Sequence, residues 1–458
     1  MRRPFEKDLT SGPVMGQLVR FCVPFLLSNF LQAMYNVTDT LVVSWFAGPN
    51  TVSGVATGGQ ITLIAMNFAI GFTVGGTVLI GQFFGAGKRA ELKATIGTMF
   101  TSLACLSLLI TALVVTFARP LLRLVNTPDE AFGEAYIYLV ICMGGTVFTF
   151  GYNAVAAILR GMGDSKNPLY FVLIAGVVNT LLDLPFVGLF GWGAAGDAAS
   201  TVIAQALSLT LAVIYLRKRD FVFDFRRENF RIHTERLRQI IKIGLPNSLQ
   251  HVVVGMSFLI MMTLANRFGV DASAATGIVG KFNGLAILPA IAMSSSVSSM
   301  AAQNIGAGKH TRAAAAMRSG ILLSLPIGAL FFSLAFFAPQ VVMGLFTNEP
   351  LVIEHGVSYI RLFCIDYVVV PFMFCLNGLL MGAGLTVFTM FSGMLASVLL
   401  RVPLALIFSE VLDMGLPGIG LAAPLATAGS LAAAFFFYKT GRWKEKRLIG
   451  SAPLFDDA

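Results

Sequence analysis

Three aspartates lie inside long apolar stretches of the chain, and their carboxyl groups are the side chains best placed to do chemistry. They are Asp39 within YNVTDTLVV, Asp183 within LLDLP, and Asp366. Because an ionised carboxylate is costly to bury, such residues usually face a bundle interior or a water-filled cavity and mark the route of an ion. The alternative is that each is a protonated or hydrogen-bonded residue that fixes helix packing.

The composition of the chain is that of an integral membrane protein. Of its 458 residues, 56% are hydrophobic and only 12% are charged, and the mean hydropathy is +0.79. Soluble domains have about 25% charged residues. A helix of roughly 20 apolar residues crosses ~30 Å of hydrocarbon, and apolar runs of about this length recur along the whole chain. The predicted fold class is therefore an all-α integral membrane protein.

Clusters of glycine, proline and charge divide the apolar runs into twelve predicted transmembrane helices. If the N-terminus is cytoplasmic, most of the 32 lysines and arginines fall in segments on the cytoplasmic side. This distribution follows the positive-inside rule, so we expect both termini in the cytoplasm. The predicted spans are 18–46, 52–80, 95–117, 134–158, 169–190, 195–216, 243–266, 275–300, 314–337, 356–380, 387–410 and 417–438.

The two halves of the chain resemble each other in sequence. GQFFGAGKRAEL (81–92) recurs as AQNIGAGKHTRA (302–313), and other motifs recur in the same order at nearly the same offset. Six spans per half predict two pseudo-symmetric six-helix lobes around a central cavity, an architecture typical of transporters that work by alternating access. We predict an N-terminal lobe over 1–216, a basic cytoplasmic linker over 217–242, and a C-terminal lobe over 243–458 with a short cytoplasmic tail.

The predicted topology places Asp39 and Asp183 at one depth in the N-terminal half. Asp39 is about seven residues, or ~10 Å, before the end of its span, and Asp183 is about as far from the end of span 5. Asn179 lies one turn before Asp183, and Thr201 lies at the same depth on the returning span. These four residues predict a site that takes either a proton shared between the carboxylates or a sodium ion.

The acid pair is not duplicated, although the fold is. Aligning LLDLP with LLRVP makes Arg401 the counterpart of Asp183, and Met261 is the counterpart of Asp39. A scaffold residue tends to be retained in both copies, whereas an ion site is needed in only one lobe. The difference favours a functional role for the two acids of the N-terminal half.

In the C-terminal half, Asp366 has two basic residues as candidate neighbours. They are Lys281 in span 8 and Arg401 in span 11. Because the acid and both bases fall in one half, we predict a buried structural ion pair there rather than a second coupling site.

Five residues are candidates for the wall of the substrate cavity. Tyr35 and Asn36 lie one turn before the first aspartate on the same helix. Methionine adapts to varied ligands, and span 7 carries Met256, Met261 and Met262. Ordinary packing is the alternative for any single one of these methionines.

Several functional classes lack support in the sequence. Basic residues at cytoplasmic helix ends meet anionic headgroups and explain the net charge of +9, so no nucleic-acid partner is expected. Neither GAGK turn completes a Walker A motif, and none of the five cysteines has CxxC or metal-ligand spacing. No pairing of a nucleophile with a base stands out. We therefore predict that the protein is not an enzyme and has no cofactor or metal beyond the coupling ion, H+ or Na+.

The sequence resembles the multidrug and toxic compound extrusion (MATE) family. The resemblance rests on PFLLSNFLQAMYNVTDTLVV, the two GAGK turns, LRGMGDSKNP and LLDLPFV, and it covers essentially the full chain. It implies a twelve-span, two-lobe antiporter in the lipid bilayer of a bacterial inner membrane. Such antiporters export small-molecule, mostly cationic and amphipathic compounds in exchange for protons or sodium. We expect a monomer.

Within that family, the acid pair resembles the N-lobe cation site of the branch named after DNA-damage-inducible protein F. This implies that Asp39 and Asp183 bind the coupling ion, while Asn179 and Thr201 complete its hydrogen-bond shell. The rival function is a flippase for a lipid-linked precursor, since the wider superfamily has such members. Those flippases usually have extra spans and a basic central cavity, whereas this chain has twelve predicted spans and two obvious internal bases.

Overall fold

Helices are the only regular elements in the part of the chain that the computed structural model describes. The described residues are 7–218, 221–445 and 448. Ten helices are long and apolar enough to cross a membrane, and two bent helix pairs bring the number of candidate spans to 12. This confirms the predicted all-α fold with twelve membrane helices, most of them a few residues longer than predicted.

Three π-helical segments interrupt the α-helices at Leu184–Leu189, Leu395–Arg401 and Ile407–Val411. In chain order the α-helices are α1 (Val14–Phe46), α2 (Pro49–Gly85), α3 (Arg89–Thr116), α4 (Ala118–Leu124), α5 (Asp129–Gly144), α6 (Thr146–Gly161), α7 (Lys166–Asp183), α8 (Gly193–Arg217), α9 (Thr234–Asn266), α10 (Val270–Gly306), α11 (His310–Phe337), α12 (Pro339–Gly344), α13 (Pro350–Phe363), α14 (Asp366–Gly382), α15 (Thr386–Met394), α16 (Val402–Leu406) and α17 (Leu416–Lys439).

The two bent spans are the fourth span of each half. Helices α5 and α6 meet at 47°, and helices α13 and α14 meet at 45°. In the first pair the bend falls at the adjacent glycines Gly144 and Gly145, and paired small residues are a common place for a helix to kink.

The chain divides into two compact units, and each changeover falls beside a proline inside a helix. Among the described residues, unit 1 consists of those up to Asp8 and of those within Val23–Leu245, and unit 2 consists of Leu9–Cys22 and of those from Pro246 onward. The changeover in α1 lies next to Pro24, and the one in α9 lies at Pro246. Proline removes a backbone N–H from the helix ladder, so both helices are weakened at equivalent places.

Small residues let the helices of each unit pack closely, as is typical of membrane proteins. In unit 1, a Cβ atom on Gly54 of α2 would lie 2.8 Å from the backbone nitrogen of Ala135 on α5. In unit 2, a Cβ atom on Gly382 of α14 would lie 2.6 Å from the carbonyl oxygen of Ser298 on α10. Helices α2 and α10 are thus packed at short range inside their own units.

The described part of the basic stretch 217–242 belongs to unit 1 and packs on α3. Phe223 is buried, with its ring centroid 5.9 Å from that of Phe100. Lys93 donates a 2.7 Å hydrogen bond to Asp224, and this bond and the positive charge lower the pKa of Asp224. The predicted domain boundaries, with this stretch as a linker between lobes, stay a prediction.

Candidate functional site

The four residues predicted to bind the coupling ion lie on three helices of unit 1. Asp39 is on α1, Asn179 and Asp183 are one turn apart on α7, and Thr201 is on α8. Helices α7 and α8 pack against each other. Residues one turn apart on a helix face the same way, so α7 presents its amide and its carboxylate together.

The connection between α7 and α8 determines how closely the two helices approach. The π-helical segment Leu184–Leu189 follows α7 directly, and Gly193, with φ 54°, occupies the left-handed region that favours glycine. A Cβ atom on Gly196 of α8 would lie 3.0 Å from the carbonyl group of Phe186. Glycine at this position therefore allows α8 to lie directly against the π-helical segment that follows α7.

A third acid, Asp197 on α8, completes a cluster with the two predicted acids. Asp39, Asp183 and Asp197 each place a carboxylate oxygen within 4.8 Å of the other two. Asp183 and Asp197 are fully buried, and Asp39 is partly buried. Among the described residues no lysine, arginine or histidine forms a salt bridge with any of the three. Their negative charges therefore lack a counter-charge from the described protein.

Neutral hydrogen-bond donors line one side of the acid cluster. The amide nitrogen of Asn179 donates to Thr201 Oγ1 at 3.2 Å and to Ser200 Oγ at 3.3 Å. The hydroxyl of Ser200 in turn donates to Asp183 Oδ1. The Tyr35 hydroxyl lies 3.1 Å from Thr201 Oγ1, which connects Tyr35 to the same network.

Several oxygens of the cluster are buried without a hydrogen-bond partner in the described chain. They are Oδ1 of Asp39, Oδ2 of Asp183, both carboxylate oxygens of Asp197, and Oδ1 of Asn179. An ionised carboxylate only accepts hydrogen bonds, so carboxylates that face one another need a proton or a cation between them. The cluster can therefore hold protons or a hard cation that prefers oxygen ligands.

Asp197 and Ser200 are the residues of this cluster that the sequence analysis missed. Asp197 lies just inside the predicted start of span 6 at residue 195, where its depth in the membrane is poorly defined. A usable signal exists in the repeat, because GDAAS (196–200) resembles GLAAP (420–424) by letters and the aspartate has no acidic counterpart, either there or two residues earlier at Ile419. The same comparison that singles out Asp39 also singles out Asp197.

Structural landmarks correct the alignment of the two halves at this site. Gly193 and Gly415 both have positive φ, 54° and 62°, in equivalent turns. Gly196 and Gly418 make equivalent close approaches to phenylalanine carbonyl groups. At the offset that these glycines share, Arg401 corresponds to Asn179. LLDLP matches LLRVP at an offset of 218 residues, whereas these glycines share an offset of 222, so that alignment is displaced by four residues, or about one helical turn.

In unit 2 the positions equivalent to the acid cluster are apolar. Asp183 corresponds to Ala405 and Asp197 to Ile419 at the same offset. The residues equivalent to the three acids are Met261, Ala405 and Ile419, and those equivalent to Ser200 and Thr201 are Ala422 and Ala423. All five belong to one hydrophobic core cluster of unit 2.

The predicted cavity residues have different environments. Tyr35 joins the acid cluster through its hydroxyl, and Asn36 is exposed one residue further along α1. Met256 and Met262 are exposed on α9, whereas Met261 is buried in the core of unit 2. Met261 therefore packs against other apolar side chains and does not share the exposed face of the other two methionines.

The predicted ion pair of the C-terminal half is not formed. Lys281 is exposed, and it has no salt bridge among the described residues. Asp366 and Arg401 are both buried, but they do not approach within the 4.0 Å of a salt bridge. The nearby hydroxyl of Thr427 donates to the backbone carbonyl of Ala423 at 3.1 Å, and Oδ1 of Asp366 has no hydrogen-bond partner among the described residues.

Comparison with known proteins identifies relatives along the whole chain. The family model described as MatE matches residues 24–184 and 246–407. The chain is 30% identical over 443 residues to "Probable multidrug resistance protein YpnP" of Bacillus subtilis, and the alignment covers 96% of this chain and 98% of that protein. It is 23% identical over 451 residues to "Probable multidrug resistance protein NorM" of Thermotoga maritima, with 95% and 94% covered.

Solved structures of transporters have the same fold. An outward-facing multidrug resistance MATE family transporter of the MOP superfamily matches with a TM-score of 0.87 and 22% identity, over 95% of this chain and 97% of that one. A MOP superfamily transporter from Pyrococcus furiosus matches with a TM-score of 0.87 and 22% identity, over 96% and 98%. Because the family model matches most of both halves, the chain belongs to the MATE family of multi-pass membrane transporters and is not an enzyme.

Proposed function

We propose that this MATE family transporter is an antiporter that exports amphipathic, mostly cationic small molecules in exchange for H+ or Na+ bound in unit 1. The observation that carries the proposal is the cluster of Asp39, Asp183 and Asp197, whose oxygens lie within 4.8 Å of one another without a basic partner among the described residues. Two unit charges at that separation repel each other by roughly 3 kcal/mol at an effective dielectric constant of about 20. A bound cation relieves this repulsion.

Each residue of the cluster has a distinct role in the proposed cycle. The three carboxylates hold the ion, and Asn179 with Thr201 completes its shell of oxygen and hydrogen-bonding groups. Because Tyr35 shares a hydrogen bond with Thr201, arrival or release of the ion changes the contacts of a residue proposed to line the substrate cavity. Binding of ion and substrate is then linked, and each affects the affinity for the other.

The substrate class and the cellular setting are also part of the proposal. The relatives in Bacillus subtilis and Thermotoga maritima carry the name multidrug resistance protein, which supports export of varied small molecules. Met256 and Met262 are exposed on α9, and the adaptable side chain of methionine suits amphipathic compounds. We propose a monomer in the inner membrane of a bacterium, with both termini in the cytoplasm because most basic residues fall on that side.

The test is substrate efflux from proteoliposomes with the proton and sodium gradients imposed separately. Wild type should export a cationic dye under at least one gradient, and Asp39→Asn should lose gradient-driven export. Asp129→Asn is the matched control, because Asp129 is an exposed acid of the same unit. Unchanged gradient-driven export by Asp39→Asn would refute the coupling proposal. Movement of a lipid-linked anion without export of any cation would instead favour the flippase.

A further inference from the structure

Arg401 is a buried arginine whose guanidinium group has no hydrogen-bond acceptor among the described residues. It ends the π-helical segment Leu395–Arg401 of unit 2 and is only 8% exposed. Its Nε and Nη1 atoms are buried and have no hydrogen-bond partner in the described chain. Arginine remains protonated in proteins, so the positive charge is always present. A buried charge is destabilising unless something pairs with it.

The ring of Phe258 covers one face of this guanidinium group. The central carbon of the group lies 4.8 Å from the ring centroid. Phe258 itself is exposed on α9, so Arg401 lies one side chain below the surface of unit 2. Stacking on a ring occupies the face of the guanidinium plane and leaves the N–H groups at its edge able to bind an acceptor.

The neighbouring acid does not satisfy Arg401. Asp366 is buried and interacts electrostatically with the guanidinium group, but it does not approach within the 4.0 Å of a salt bridge. Its Oδ1 atom has no hydrogen-bond partner among the described residues either. Charge-assisted hydrogen bonds form at about 2.7–2.9 Å, so this pair leaves the donors of Arg401 unused.

We propose that Arg401 is an anion-binding site of unit 2 that takes a carboxylate or phosphate group. The planar guanidinium fork matches two oxygens of either group, and Phe258 holds the fork in one plane. The anion is carried by an amphipathic solute or by a lipid headgroup, and both present the same oxygens to the arginine. This site goes beyond the proposed cation exchange, which takes place at the acids of unit 1 and does not use Arg401.

The test measures anion binding to the purified full-length chain in a nonionic detergent without lipid. Potassium benzoate and potassium phosphate are titrated by calorimetry, with potassium chloride holding the ionic strength constant. A second arm compares retention of phosphatidylglycerol and phosphatidylcholine by native mass spectrometry. Wild type should bind a probe saturably, and Arg401→Gln should bind it at least about tenfold more weakly. Arg267→Gln should bind as wild type does, because Arg267 is exposed and already paired with Glu410 at 2.5 Å.

Asp366→Asn keeps the test decisive if Arg401→Gln does not fold. Removing the competing negative charge should tighten anion binding by about tenfold. Binding of benzoate or phosphate assigns the site to a solute, and selective retention of phosphatidylglycerol assigns it to a lipid headgroup. The proposal is overturned if wild type binds none of the probes, or if neither substitution changes their affinity. Because the readout is binding rather than transport, this result does not depend on the coupling experiment.

Discussion

Helices α7 and α8 of unit 1 bring Asp183 and Asp197 together, whereas the equivalent positions of unit 2 hold Ala405 and Ile419. The backbone conformations around these two sets of positions are the same. Each unit has a left-handed glycine in the connecting turn and a second glycine against a phenylalanine carbonyl group. The two units thus share a scaffold and differ in the side chains that it presents.

This difference shows that the acids of unit 1 are not needed for the fold, which supports the proposal that they act in transport. Unit 2 packs the same helix crossing with alanine and isoleucine, so the crossing does not require an acid. The three ionised carboxylates have no counter-charge among the described residues, and they repel one another. This repulsion destabilises the folded state of unit 1. A feature that destabilises the scaffold and is absent from its copy supports the proposal of an ion site in unit 1.

Arg401 gives unit 2 a charge of the opposite sign near the same place. It stands at the position of Asn179, and its neighbours in the equivalent cluster are apolar. The two units therefore present oppositely charged groups on similar frameworks. Substitutions that exchange residues between the two frameworks test this comparison directly.

The largest effect is expected from placing the acid of unit 1 into unit 2. Ala405 is fully buried in the hydrophobic core, and Ala422 and Ala423 replace the hydroxyl groups of Ser200 and Thr201. Arg401 lies one turn before Ala405 and would pair with an acid there, so the test uses an Arg401→Gln background. In that background Ala405→Asp should lower the free energy of unfolding by about 3–5 kcal/mol, measured by chemical unfolding of the purified protein. Ala405→Ser in the same background is the matched control and should lose much less. Equal stability with and without Ala405→Asp in that background would show that both units tolerate an acid here, which would contradict the comparison.

The reciprocal change, Asp183→Ala, should remove ion-driven export while leaving the fold intact. Unit 2 packs alanine at this position, so the loss of stability should be small. Gradient-driven dye efflux in proteoliposomes should fall on the order of 100-fold, the upper range of coupling between two binding sites. Asp129→Ala, at an exposed acid of the same unit, should transport as wild type does. Efflux that still follows the ion gradient would remove Asp183 from the ion site.

The spans and their duplication are predictable from sequence because both depend on long, continuous patterns. Apolar runs of about 20 residues have few alternatives to a membrane helix. Asp39 and Asp183 also stand out, because they lie well inside such runs. The cation site itself stays a prediction until transport is measured.

What the sequence could not predict depends on shifts of a few residues, either in the boundary of a helix or in the alignment of the two repeats. Asp197 lies at the edge of its predicted span, and a boundary uncertain by a few residues hides whether such an acid is buried. The letters of LLDLP match LLRVP in a register that differs by four residues from the one that the turn glycines Gly193 and Gly415 share. The letters therefore pair Arg401 with Asp183, although the fold pairs Arg401 with Asn179. Side-chain direction also decides that Met261 is buried between two exposed methionines.

Asp197→Ile tests whether the third acid belongs to the ion site. Isoleucine stands at the equivalent position of unit 2, and Asp39 and Asp183 remain to bind the ion. We expect export that still follows the gradient, with a concentration of coupling ion for half-maximal export about tenfold higher, since one attracting charge is lost. Asp197→Asn, which keeps the shape and removes the charge, should behave in the same way. Wild-type ion dependence in both variants would restrict the site to the two acids predicted from sequence.

The smallest effect is expected at Thr201, whose counterpart in unit 2 is Ala423. Thr201→Ala removes hydrogen bonds of 3.2 Å to Asn179 and 3.1 Å to Tyr35, and no charge changes. The free energy of unfolding should fall by about 1–2 kcal/mol, and the apparent affinity for the coupling ion by about threefold, since each neutral bond contributes about 1 kcal/mol. Thr210→Ala is the matched control, because Thr210 lies on the same helix and its hydroxyl donates only to the backbone carbonyl of Ala206. This control shows how much of the effect comes from losing any hydroxyl group rather than the bonds to Asn179 and Tyr35. If the two variants have equal ion affinity, Tyr35 and Asn179 are not linked to the ion through Thr201, and the contrast between the units is confined to their charged residues.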